Sequence, residues 1–146
     1  MIGVASTGSG KTLVFVLPMI MFALEAELKL PITQGEGPFC LILCPARELA
    51  LQTFEIATEL CHALERDGYP LLKGMLCMGG TSMREQEQQL KGGLHFIVAT
   101  PGRLIDLLQK KKFSLELCKY VALIFNYFSR VLISTDILLW TKQTDW

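Results

Sequence analysis

Histidine is scarce in this 146-residue chain, which has only His62 and His95, and its five cysteines show no C-x-x-C pairing. A zinc site or a histidine-built metal centre needs closely spaced donors, so neither is supported. An odd number of cysteines, several of them inside apolar runs, also argues against a disulfide framework and fits a reducing intracellular compartment. Net charge is missing as well: 14 Lys+Arg and 14 Asp+Glu cancel. Without a global basic field, any contact with a polyanion must come from a few placed groups. The chain has no internal repeat, no low-complexity tract and no linker long enough to separate two domains. Its longest apolar run, "LVFVLPMIMFAL" (13–24), is too short for a membrane span and contains Pro18. No small-x-small cleavage site follows it, so a helix buried on most sides is expected rather than a signal peptide.

What is present is apolar and ordered by pattern. A hydrophobic content of 51% and a mean hydropathy of +0.38 exclude disorder, and the length suits one domain with a real core. "IGVA" (2–5) reads as a strand stub entering a glycine-rich loop, followed by a helix from Lys11 to about Leu28. "LPITQGEGP" (30–38) is a loop by composition. "FCLIL" (39–43) is a strand buried on both faces, and a helix follows from Arg47 to about Arg66. "LLKGMLCM" (71–78) is a second such strand, closed by Gly79-Gly80. Ser82 and Glu85 form an S-x-x-E capping box ahead of a polar helix to about Leu90. "HFIVA" (95–99) is a third strand, Leu104 to Gln109 a short helix and "YVALIF" (120–125) a fourth apolar run. Alternating helices and nearly all-apolar strands predict an α/β domain with a mostly parallel sheet and helices on both faces.

The motif with the clearest chemistry is "ASTGSGKT" (5–12). Small residues at Ser6, Thr7, Gly8, Ser9 and Gly10 let backbone N–H groups converge on phosphate oxygens. The helix starting near Lys11 adds its dipole and unpaired amides. Lys11 is placed to reach the β- and γ-phosphates, and the Thr12 hydroxyl to ligate Mg²⁺. A plain glycine-rich turn would explain Gly8 and Gly10 but not the Lys-Thr pair that follows them.

Ala5 stands where the general phosphate loop has its first glycine. With that feature, followed in order by "PARELALQ" (45–52), Gly79-Gly80 and "TPGR" (100–103), the chain resembles the DEAD-box ATP-dependent RNA helicases. "PGRLIDLLQKK" reads most like the Abstrakt-type members. The resemblance covers about residues 1 to 123 and implies part of a RecA-like lobe of the P-loop NTPase class. It implies ATP and Mg²⁺ as cofactors, with Ala5 to Thr12 as the binding loop and Lys11 and Thr12 as catalytic residues of an incomplete set. It further implies a single-stranded RNA backbone along Pro45, Arg47, Gly79, Gly80, Thr100, Gly102 and Arg103. Taken singly, each of these RNA-track segments is also explained by turn or helix-start chemistry. By the same resemblance the protein is intracellular and nuclear, with pre-mRNA processing complexes as partners.

The pattern then breaks. After Tyr120-Val121-Ala122-Leu123 the family supplies two carboxylates, whereas this chain reads Ile124-Phe125-Asn126-Tyr127. Residues 124–146 keep no family feature and no single period, so the expected division is a helicase lobe over 1–123 and an unrelated apolar tail over 124–146. An adenine-gripping segment and a second lobe have no counterpart either. The expectation is a helicase fragment that binds ATP and RNA backbone without hydrolysing or unwinding. The alternative is a non-catalytic nucleotide- or RNA-binding fragment, or a gene-model artefact with no independent function.

Overall fold

The computed structural model describes residues 2–3, 10–80, 82–125 and 128–133, with backbone alone at 2, 3, 11, 83, 125 and 128–133. In chain order the elements are β1 (Ile2–Gly3), α1 (Lys11–Lys29), β2 (Cys40–Leu43), α2 (Arg47–Arg66) and β3 (Gly74–Cys77). They continue with α3 (Met83–Lys91), β4 (Phe96–Ala99), α4 (Pro101–Gln109), β5 (Tyr120–Phe125) and β6 (Phe128–Ile133). One sheet runs β1-β6-β5-β2-β4-β3. Strands β3, β4, β2 and β5 are mutually parallel, and β6 is antiparallel to both β5 and β1. β1 therefore points the same way as the parallel strands, and the α/β expectation of a mostly parallel sheet holds.

The apolar strands are buried on both faces because helices cover both. Alternate residues divide cleanly: Cys40, Ile42, Phe96, Val98, Tyr120 and Ala122 pack with α1 and α2. Leu41, Met75, Cys77, Ile97, Ala99 and Val121 pack with Leu90 of α3 and Leu104 and Leu107 of α4. β4 is the keel, with all four residues buried. All five thiols are buried and free, and burial pushes those of Cys44, Cys61 and Cys77 up to about 11.

Two local expectations are corrected. α1 is not buried on most sides: Phe15, Val16, Met19, Ile20 and Ala23 face the core, but Leu13, Val14, Leu17 and Met21 are exposed, Met21 by 70%. An apolar composition all round a helix cannot say how many of its sides have neighbours. Among the described residues, β5, β2 and α2 supply them on one flank. Ser82 does sit at the N-cap of α3, yet its side chain makes no capping bond, so the S-x-x-E spacing marks the start without the box. Residues 128–133, within the stretch where the sequence shows no clear period, form β6.

Two buried polar contacts fasten α1 to the sheet. The Tyr120 hydroxyl donates to the Phe15 carbonyl at 2.7 Å, and burial pushes the phenol well above its ordinary range. Near the other end, the Lys73 amide donates to Nδ1 of His95 at 2.8 Å, which leaves Nε2 to carry the ring proton. That nitrogen lies 2.9 Å from Glu27 Oε2, which also accepts the Ile32 amide at 2.8 Å. Burial alone would raise the Glu27 carboxyl. The Ile32 amide, the His95 ring and the nearby Lys73 charge outweigh it and hold the carboxyl below its ordinary 4.5.

A group with a lowered folded pKa contributes stability above its unfolded pKa and loses it as pH falls through the folded value. Glu27→Gln is expected to cost about 1–2 kcal/mol at about pH 7 and progressively less in acid, flattening the acid limb below about pH 4.5. Urea midpoints across that range check it; an unchanged acid limb would show that Glu27 carries none of it. Tyr120→Phe, which leaves the Phe15 carbonyl without this donor, is expected to cost about 1 kcal/mol in the same assay.

Candidate nucleic-acid and nucleotide sites

The parallel register sets the site. Leu43, Cys77 and Leu123 are level with Ala99 or with each other's partners, so the segments after β2, β3, β4 and β5 leave from one edge. The ladder continues past the strand ends: the Cys44 amide donates to the Ala99 carbonyl at 2.8 Å, and the Thr100 amide to the Cys77 carbonyl at 2.9 Å. The carboxyl edge is where open α/β sheets bind ligands.

Three helices begin there without a side-chain cap. Gly10 precedes α1, Ala46 precedes α2, and Thr100 precedes α4 with its hydroxyl uncommitted to capping. First-turn amides and the positive end of the helix dipole are thus presented together, a setting suited to anions. α2 carries Glu48 in its first turn, whereas α1 and α4 carry no acid there.

An open groove of about 460 Å³ is lined by Pro45, Arg47, Gly79, Thr100, Pro101, Gly102, Arg103 and Asp106. Three separate sequence segments meet in it, from the ends of the neighbouring strands β2, β4 and β3. Gly80 adjoins it: a Cβ there would lie 3.7 Å from Nη1 of Arg47, and one on Gly79 would lie 3.0 Å from Nη2. The guanidinium of Arg47 therefore rests on the Gly79-Gly80 backbone. The glycines make room for an arginine of this chain, a role that turn chemistry alone did not reveal. Arg103 is 16% exposed, with Nη1 3.6 Å from Oδ2 of Asp106. A larger recess of about 870 Å³ lies between α1 and α2, but its lining of Leu13, Ile56, Leu60, Ala63 and acidic Glu59 includes no motif residue.

The nucleotide loop is less fully described. Ala5, Ser6, Thr7, Gly8 and Ser9, with the Lys11 side chain, lie outside the described residues. Gly10 has φ 72, in the left-handed region that favours glycine, and Thr12 is half-buried in the first turn of α1. These features fit a phosphate group. The fit to Mg²⁺ is thinner: Thr12 offers one oxygen, residues 124–127 bring no carboxylate, and no cluster of three acidic, His or Cys groups occurs among the described residues. Of the tri-lysine run 110–112, Lys110 pairs with Asp106 at 3.0 Å and Lys112 with Glu87 at 3.1 Å, both at the surface.

Sequence reasoning missed Asp106 and Pro101 as groove residues. The R-x-x-D-x-x-x-K spacing from Arg103 to Lys110 was the available signal, since residues three and four apart are neighbours on a helix.

Comparison with known proteins matches residues 1–125 to the DEAD/DEAH box helicase family model. The chain is 60% identical over 124 residues to the probable ATP-dependent RNA helicase ddx41 of Dictyostelium discoideum, covering 84% of this chain and 18% of that protein. It is 51% identical over 123 residues to the ATP-dependent RNA helicase abstrakt of Drosophila melanogaster, covering 84% of this chain and 20% of the other. Among solved structures it superposes on the yeast DEAD-box splicing factor Prp28 with a TM-score of 0.70 at 35% identity, over 83% of this chain and 27% of that one. The chain thus spans about a fifth of the length of these curated relatives.

The two glycines should respond differently to a methyl group. Gly80 has φ 94, so Gly80→Ala strains the backbone and is expected to cost about 1–2 kcal/mol. Gly79→Ala meets only the tip of a flexible arginine and should cost less, about 0.5 kcal/mol. Chemical denaturation of both variants checks the order, and a larger loss at Gly79 would contradict this geometry.

Proposed function

The chain belongs to the DEAD/DEAH box helicase family, and from that premise we propose that it is the nucleotide- and RNA-backbone-binding part of a DEAD-box RNA helicase lobe. The observation that carries the reading is the groove. Six of the seven residues expected to touch RNA, drawn from three distant segments, line one cleft beside two uncapped helix starts.

Arg47 and Arg103 supply charge, and the Thr100 hydroxyl and first-turn amides of α4 supply neutral donors. Such contacts grip phosphate and sugar without reading base edges, so binding is independent of sequence. The groove sits on the β2/β4/β3 half of the edge. β1, which leads into the phosphate loop, lies four strand steps from β4, about 19 Å away. ATP and RNA would therefore occupy opposite halves of one edge.

Ala5, Ser6, Thr7, Gly8, Ser9 and Gly10 would wrap the ATP phosphates, with Lys11 reaching the β- and γ-phosphates and Thr12 offering its oxygen to Mg²⁺. The metal, when bound, neutralises charge on the phosphates. With Ile124, Phe125, Asn126 and Tyr127 where family carboxylates stand, this chain binds without turning over ATP. We assign the lobe to 1–123 and leave 124–146 outside its function. A nuclear, intracellular setting in pre-mRNA processing is supported by the likeness to a yeast splicing factor.

The test uses the 146-residue chain. A labelled single-stranded oligouridylate should bind with a salt-dependent affinity that Arg103→Ala weakens about tenfold. Lys11→Ala should weaken a fluorescent ATP analogue and leave RNA binding intact. RNA-stimulated ATP turnover that disappears in Lys11→Ala would overturn the non-hydrolytic reading, and Arg103→Ala binding RNA as tightly as the parent would remove the groove.

A further inference from the structure

A carboxylate is out of place in a groove meant for phosphate, yet Asp106 lines this one between two cations. Its Oδ2 lies 3.6 Å from Nη1 of Arg103 and its Oδ1 lies 3.0 Å from Nζ of Lys110, so each oxygen faces a different partner. All three residues belong to one face of α4 and its end, at spacings of three and four.

The two contacts are not equivalent. An acid four residues before a lysine is the orientation that stabilises a helix, so Asp106–Lys110 is accounted for by the helix itself. Arg103 stands in the first turn, at the positive end of the dipole, where a cation is disfavoured and no acid is present to offset it. Asp106 is one turn along, and its other oxygen is anchored by Lys110. Across the groove, Arg47 is supported differently, by the Gly79-Gly80 backbone.

We propose that Asp106 is a positioning residue: it holds the Arg103 guanidinium at the mouth of the groove in the orientation that meets a backbone phosphate of single-stranded RNA. The proposal rests on the RNA-backbone reading above. It places a negative charge in an anion site for a geometric purpose, at a cost in raw electrostatic attraction.

The two effects have opposite signs. As mere charge, Asp106 repels RNA, and Asp106→Asn would tighten binding. As a positioning residue its loss weakens binding, by about three- to tenfold, and lowers the salt slope by about 0.7, the share of one phosphate contact on a single strand. Asp106→Glu, which keeps the carboxylate, should recover part of the affinity. In an Arg103→Ala background there is nothing left to position, so Asp106→Asn should now tighten binding.

Oligouridylate titrations of the 146-residue chain at several salt concentrations read all four variants, with circular dichroism melts confirming that each is folded. Binding that is unchanged or tighter in the single Asp106→Asn variant, while Arg103→Ala still weakens it, overturns the positioning role alone. If the unsubstituted chain does not bind, or Arg103→Ala has no effect, the groove reading falls and takes this role with it.

Discussion

The in-register pairing of β2, β4 and β3 is the constraint on which the rest depends. Leu43, Ala99 and Cys77 lie on one line across the sheet, and one further backbone bond on each side of Ala99 carries the ladder into the loops. Slipping one strand by a residue would turn its side chains to the opposite face and unseat both core layers at once. The two-sided burial of Phe96, Ile97, Val98 and Ala99 therefore does more than stabilise the centre. It fixes the height at which Pro45, Gly79 and Thr100 emerge, and so brings three short motifs into one groove.

The edge is divided between tasks by strand order. The half ended by β2, β4 and β3 gathers guanidiniums, glycines and helix starts around one open cleft, a surface suited to a charged, flexible polymer. The other half begins at β1. There β6 lies between β1 and β5, with Ser129 level with both Gly3 and Ile124. The strand leading to the phosphate loop and the strand whose end would carry family carboxylates point the same way but do not pair with one another.

Much of this was legible in the sequence because it was written locally. Apolar runs of five or six residues gave β2, β4 and β5 within a residue, whereas the longer run 71–78 overran β3 by three residues at its start. Pro45 and Pro101 marked where strands stop and helices start. The motif residues of the groove were visible as short segments, though their convergence depended on strand order, which no local pattern carries. Glu27 and His95 are 68 residues apart, and neither has a neighbour that announces the pair. The exposed flank of α1 escaped for a related reason, since Leu17 and Met21 are as apolar as Val16 and Ile20 and differ only in what packs beside them. Ser82 shows the reverse: a local signature that placed a helix start correctly while the bond it promised was not made.

The two polar contacts on α1 have a mechanical meaning beyond their energies. Phe15 is fastened to β5 and Glu27 to His95 just before β4, twelve residues apart, a span of about 18 Å along the helix axis. A helix fastened near both ends, to the strands on either side of β2, resists pivoting or sliding against the sheet. The start of α1 at Gly10 is therefore held at a set height relative to the edge where the groove opens. The start of α1 is thereby held relative to β4, whose last residue, Ala99, stands just before Thr100.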